Sequence, residues 1–99
     1  MTTKKVVKIE HPQRRRVTFR CAAGLKSDVR LAGDFNQWST SMHRLSWKHD
    51  SRKYTATIML PVGRYEYKFV VDGVWQCDPA CADRASNEHG SLNSVIEVK

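Results

Sequence analysis

The residues best placed to do chemistry in this 99-residue chain are a tryptophan and a lysine on either side of a tight turn. Asp72-Gly73 is a two-residue hairpin signal of the kind that needs positive φ. With those two as the loop, Val71 pairs with Val74, Val70 with Trp75, and Lys68 with Cys77. Paired residues share a face of the sheet, and successive residues alternate faces. Lys68, Val70, Trp75 and Cys77 therefore lie on one face, and Tyr65, Tyr67, Phe69, Val71, Val74 and Gln76 on the other. The second set is far more apolar and is assigned to the core. Trp75 then points outward, with Lys68 as its diagonal neighbour. Burying a tryptophan is worth a few kcal/mol, so an exposed one needs a reason. A sugar would supply it: the C–H face of a glucose ring is apolar and stacks on an indole, while its rim hydroxyls seek partners such as Lys and Asn. The competing reading is that the loop at residues 78–90 covers the ring.

A second signal is Gly33-Asp34-Phe35-Asn36-Gln37-Trp38. Gly33 is expected to let the strand end turn sharply, and Asp34 and Asn36 to bond locally to the backbone. Phe35 packing inward would hold the loop and present Trp38; alternatively, Trp38 is a loop anchor.

Other chemistries find less support. A glycosidase needs two carboxylates at a set separation in a cleft. Asp34, Glu66, Asp72, Asp78 and Asp83 fall mostly at turns, and nothing pairs them. There is no Ser-His-Asp signature and no phosphate loop. The chain is expected to be no enzyme and to need no cofactor. Its three cysteines, Cys21, Cys77 and Cys81, are odd in number. Met1-Thr2-Thr3-Lys4-Lys5 leads into only a two-valine apolar step, which is no secretory signal, so they read as reduced thiols in the cytoplasm. Cys77 and Cys81 miss the C-x-x-C spacing, and with His89 they lack a clear fourth ligand, so no metal is expected.

The net charge of +7 suggests nucleic acid until it is located. Residues 1–30 hold nine basic and two acidic side chains, whereas residues 31–99 hold eight of each. Trp38 and Trp75 lie in the neutral portion, which argues against nucleic acid as the partner of those rings. The excess belongs to the first third, where residues 1–13 read as a flexible basic arm ahead of a module at 14–99. No apolar run approaches the ~20 residues of a membrane-spanning helix.

The elements that must position these residues are strands. No stretch sustains a helical apolar period. Val17, Phe19 and Cys21 alternate with Arg16, Thr18 and Arg20; Val29 and Leu31 continue the pattern, and Leu45 and Trp47 form a short strand. Lys53–Leu60 and Arg64–Val71 alternate again, Val74–Cys77 returns, residues 78–90 form a long loop, and Leu92–Val98 is last. Seven or eight short strands at this spacing favour an antiparallel sandwich. Its core should contain Val17, Phe19, Val29, Leu31, Phe35, Tyr54, Ile58, Tyr67, Phe69, Val71 and Ile96.

Four segments together resemble a known family: Gly33–Trp38, Leu60–Trp75, Asp78-Pro79 and Asn87–Val98. Their order, spacing and residue types are similar to the family 48 carbohydrate-binding module. That is the glycogen-binding domain of AMP-activated protein kinase β subunits and of glycogen branching and debranching enzymes. The similarity covers about residues 15–99. It implies an all-β, immunoglobulin-like antiparallel β-sandwich of the early-set type. It also implies non-catalytic binding of α-1,4-glucan, as in glycogen or starch, by a targeting or regulatory module. Carried over residue by residue, Trp38 and Trp75 match the two tryptophans that stack on glucose. Lys68 and Asn93 match residues that hydrogen-bond sugar hydroxyls, and Ser91 stands where the family has threonine. His89 replaces the leucine that clasps the glucan, which is a departure. The implied partners are an α-glucan or maltooligosaccharide and a glycogen-metabolising enzyme or kinase-type protein. The alternative is a structural or adaptor sandwich that docks onto such a protein without binding sugar.

Overall fold

A computed structural model describes residues 13–99, so the flexible-arm expectation for residues 1–13 lies outside the described residues except at Gln13. The described residues form eight strands: β1 (Arg14–Cys21), β2 (Val29–Gly33), β3 (Ser46–Lys48), β4 (Lys53–Pro61), β5 (Gly63–Val71), β6 (Val74–Gln76), β7 (Arg84–Ser86) and β8 (Leu92–Val98). A 3-10 turn, Asp34–Asn36, comes after β2. All pairing is antiparallel, in a β1-β4-β3 sheet and a β2-β5-β8-β7 sheet to which β6 adds against β5. Two antiparallel sheets face to face make a β-sandwich of immunoglobulin-like type.

β5 is the hub of the second sheet. One edge pairs with β2; the other pairs with β8 over Gly63–Tyr67 and with β6 over Phe69–Val71. Its alternation explains its place. Tyr67 and Phe69 face the opposite sheet and are buried, while Glu66 and Lys68 face away. Phe19 of β1 meets the Tyr67 ring edge-on at 4.9 Å, and Tyr67 meets Phe69 at 5.8 Å. Around them pack Cys21, Val29, Leu31, Leu45, Tyr54, Leu60 and Val98, with all eleven expected core residues in this cluster or against it. The chain crosses between sheets at residues 43–45. There Leu31 N–H donates to the His43 carbonyl at 3.0 Å and Leu45 N–H to the Val29 carbonyl at 2.8 Å.

Three expectations are corrected. Val74, assigned to the core by its alternation, is 62% exposed. β6 is a three-residue strand paired with β5, and none of its residues joins the core cluster. The Lys68–Cys77 pair does not form, because the β5–β6 ladder stops at Phe69–Gln76. Residues 78–90 are not all loop: β7 pairs with β8 there. Val70, on the outer face as expected, is nonetheless only 5% exposed. It sits mid-row, with Arg30 of β2 paired on one side and Trp75 of β6 on the other.

Candidate carbohydrate-binding groove

The β5–β6 hairpin sets the first wall. Asp72 and Gly73 have φ of 49° and 84°, as the turn signal demands. The turn is tied down by Asp28, whose N–H donates to Asp72 Oδ1 at 2.8 Å and whose carbonyl accepts the Asp72 N–H at 2.8 Å. With Val70 opposite Trp75, the indole stands on the face of Lys68 and remains 46% exposed. The 78–90 segment leaves it uncovered.

The second wall is built without a regular ladder. Gly33 is extended rather than turned (φ −171°), so the sharp-turn expectation is replaced by a steric one. A Cβ there would lie 2.6 Å from the Glu66 carbonyl oxygen and 2.9 Å from the Phe35 ring. Asn36 is fully buried and replaces missing backbone partners: its Oδ1 accepts Gly33 N–H at 3.0 Å and its Nδ2 donates to the Leu31 carbonyl at 2.9 Å. Gln37 and Trp38 then both take positive φ, 53° and 58°. Each such non-glycine residue costs about 1–2 kcal/mol, and it persists only where its surroundings over-determine it. Here Trp38 N–H donates to the Gly33 carbonyl at 3.0 Å and the indole Nε1–H to Asp34 Oδ1 at 3.1 Å. The second Asp34 oxygen accepts Glu66 N–H at 2.7 Å, which fastens the loop to β5.

The floor and rim come from β5, β8 and the connection before β8. Tyr67 pairs with Ser94, and both face the core, so Asn93 faces outward with Lys68. Lys68 Nζ donates to Ser91 Oγ at 2.9 Å. Asn93 Nδ2 donates to Glu66 Oε1 at 3.0 Å, and Arg64 donates to Glu66 Oε2 at 2.9 Å. The hydrogen bond from Asn93, and then that from Arg64, hold the Glu66 carboxyl below its ordinary value. Behind the groove, the Tyr67 hydroxyl donates to Asp78 Oδ2 at 2.7 Å, while Asp78 N–H donates to Ser94 Oγ at 2.8 Å. Burial, with Asp78 beside it, pushes the Tyr67 hydroxyl far up. Asp78 of the Asp-Pro step is thus a brace under the site.

These parts enclose a groove of about 600 Å3. All six residues singled out in the sequence line it: Trp38, Lys68, Trp75, His89, Ser91 and Asn93. Asp34, Glu66, Asn87 and Glu88 line it too, and these were missed. The Asn87-x-x-Gly90 spacing, an Asx residue ahead of a glycine, is the local signal that points to Asn87. The cysteines stand apart: Cys77 and Cys81 direct their thiols to the Leu92 and Val95 carbonyls, Cys21 is buried, and all three are free. Among the described residues, no group of three His, Cys, Asp or Glu side chains is arranged to hold a metal ion.

A groove with indoles for walls and amide, hydroxyl and ammonium groups between them suits a ligand with apolar faces and a polar rim. Comparison with known proteins points the same way. Residues 17–99 match the family described as the glycogen recognition site of AMP-activated protein kinase. The chain is 37% identical over 87 residues to the AMP-activated protein kinase subunit beta-1 of Sus scrofa, covering 88% of this chain and 66% of that sequence. It is 37% identical to the subunit beta-1 of Rattus norvegicus and 36% to the subunit beta-2 of Mus musculus, each over 87 residues. Those matches cover 88% of this chain but only 30% of either relative. The match takes in both tryptophan walls and the whole of β8, and with them the chain belongs to the family of the AMP-activated protein kinase glycogen recognition site, a carbohydrate-binding module of family 48 type.

Proposed function

We propose that the groove binds a single α-1,4-glucan chain, with Trp38 and Trp75 stacking on glucose rings. Lys68, Ser91 and Asn93 hydrogen-bond the hydroxyls between them, and His89 contacts the sugar at the rim. The observation that carries this reading is the convergence of two partly exposed indoles, from unrelated elements, on one polar-floored groove.

The module is non-catalytic. A glycosidase needs one carboxyl held protonated as an acid. Here Glu66 is held ionised by Asn93 and Arg64, and both Asp34 oxygens are spent on Trp38 and Glu66 N–H groups. Its role is to bring a partner to glycogen-like polymer, in the cytoplasm. A kinase-type assembly is the partner its relatives suggest, since the matched region is only 30% of the rat and mouse β subunits.

Affinity electrophoresis in gels with and without glycogen tests the reading, backed by tryptophan-fluorescence titration with maltoheptaose and a cellulose-type oligosaccharide as control. Retardation by glycogen and a response to maltoheptaose alone are expected. Removing either ring by Trp38→Ala or Trp75→Ala should weaken binding about ten- to hundredfold, if sugar stacking resembles base stacking. No response from the folded protein would reduce the chain to an adaptor sandwich. Binding that survived loss of both rings would place the site elsewhere.

A further inference from the structure

Asn87 touches four groups, and the orientation of its amide is forced. Its Oδ1 accepts two backbone N–H groups, from His89 at 2.9 Å and Ser91 at 3.1 Å. A backbone N–H only donates, so the oxygen must lie on that side. The Nδ2 is then the donor to Ser91 Oγ at 2.8 Å and to Asn93 Oδ1 at 3.0 Å. Asn93 is oriented in turn, with its own Nδ2 directed to the ionised Glu66. Donor and acceptor are thereby assigned at every link: Arg64 and Asn93 both donate to Glu66, and Asn87 donates to both Asn93 and Ser91.

Ser91 receives the end of it. Its oxygen accepts from Asn87 and also from Lys68, whose ammonium only donates. A hydroxyl has two lone pairs and one proton. Both lone pairs are engaged, and the proton has no protein acceptor among the described residues. Ser91 is exposed on the groove, so that proton is what it presents there.

We infer that Asn87 sets the hydrogen-bond polarity of the groove: it makes Ser91 a donor-only group, so the sugar hydroxyl seated against Ser91 and Lys68 must be an acceptor. The inference rests on the glucan reading above and adds a specificity to it. Asn87 has no amide capacity left for sugar; it is a positioning residue that acts through Ser91 and Asn93.

The variant that isolates this role is Asn87→Asp. A carboxylate still accepts the His89 and Ser91 N–H groups and keeps the turn. It withdraws the N–H groups that Ser91 and Asn93 accept, and the Ser91 proton turns toward it. The experiment titrates the full chain, wild type and variants, with maltoheptaose, and then with maltotriose analogues bearing fluorine or hydrogen in place of single hydroxyls. Fluorine still accepts but cannot donate. At one hydroxyl position the wild type should bind the fluoro analogue within about threefold of the parent and the deoxy analogue about tenfold more weakly. Asn87→Asp should lower the melting temperature less than Asn87→Ala does, bind maltoheptaose about tenfold more weakly and lose the fluoro-over-deoxy preference. Ser91→Thr should retain that preference and Ser91→Ala should lose it. Asn87→Ala, which also removes the turn's acceptor, should lose stability as well as affinity.

The inference is overturned if Asn87→Asp binds and discriminates as the wild type does. It is equally overturned if no position shows the preference in the wild type, or if Asn87→Asp matches Asn87→Ala in melting temperature and affinity, which would leave Asn87 a mere brace. A wild type that ignores maltoheptaose altogether would instead sink the glucan reading beneath it.

Discussion

Trp75 and Trp38 line one groove, yet the chain delivers them by unlike means. Trp75 rides on a regular hairpin: a two-residue turn with a glycine at the second left-handed position, a ladder with β5, and strict alternation. Trp38 sits at the end of a loop with no ladder, itself in a left-handed conformation, held by the Asp34 carboxylate and by a glycine whose missing Cβ lets β5 come close. The first wall places one non-glycine residue, Asp72, at positive φ, and an aspartate tolerates that region better than most. The second stores backbone strain and depends on several contacts being present at once. A site can therefore combine a less strained platform with a more strained one, provided both are fixed to the same strand.

The strongest way to break the comparison is to remove what both walls share. Phe69, on the inner face of β5, is fully buried. Phe69→Ala should cost about 3–5 kcal/mol, much of the total stability of a domain this size. In urea denaturation the midpoint should fall steeply, and the indole signals of Trp38 and Trp75 should be lost together.

A smaller change should separate the walls. Gly33→Ala places a methyl group against the Glu66 carbonyl and the Phe35 ring. It should destabilise by about 1–3 kcal/mol, in the range for overpacking. In nitrogen-15 NMR spectra the Trp38 Nε1–H resonance should move while that of Trp75 stays. Equal movement of both would show that the loop and the hairpin are one unit.

The hairpin should be more forgiving. Gly73 has φ of 84° with nothing within 4 Å of a built Cβ. Gly73→Ala pays only for backbone conformation, about 1–2 kcal/mol. Trp75 should keep its register, seen as an unchanged cross-strand NOE between Val70 and Trp75.

The smallest effect concerns the floor between the walls. Glu66 has a folded-state pKa below its ordinary 4.5. A depressed carboxyl contributes stability that is present above the unfolded value and lost as pH falls through the folded one. Maltoheptaose affinity should therefore hold from neutral pH to about pH 5 and decline below pH 4.5 as Glu66 gains a proton and releases Asn93 and Arg64. Glu66→Gln should abolish that acidic limb.

The two walls also differ in how far the sequence discloses them. The face of Trp75, its exposure and its nearness to Lys68 come from a period of two and one turn dipeptide, which are local rules. Even there alternation misplaces Val74, because alternation names a face but cannot say whether a second sheet reaches under it. The Trp38 wall obeys no period. Asn36 replaces backbone partners, and Gly33 is required by a strand thirty residues away. The residue types suggest a turn at Gly33, whereas the cause is a contact. Asn87 escapes for a related reason. Its role lies in four hydrogen bonds, three within one short connection and one to Asn93 of β8, and no residue type or spacing announces how an amide is turned. β7 is hidden because three residues are too few to show alternation.

Because β5 carries Tyr67 and Phe69 on one side and Glu66 and Lys68 on the other, the β5 part of the groove floor cannot loosen while the core stays shut. Amides of β5 should exchange with deuterium only through global opening, and the groove floor should share that slowest class rather than behave as a mobile loop. The coupling runs in both directions. A ligand that holds the groove closed is felt by the whole transition, and at a free concentration a hundred times its Kd it should add about 2.7 kcal/mol to unfolding. A glycogen-bound copy of this domain would accordingly be the longer-lived one in the presence of a protease that attacks opened chains.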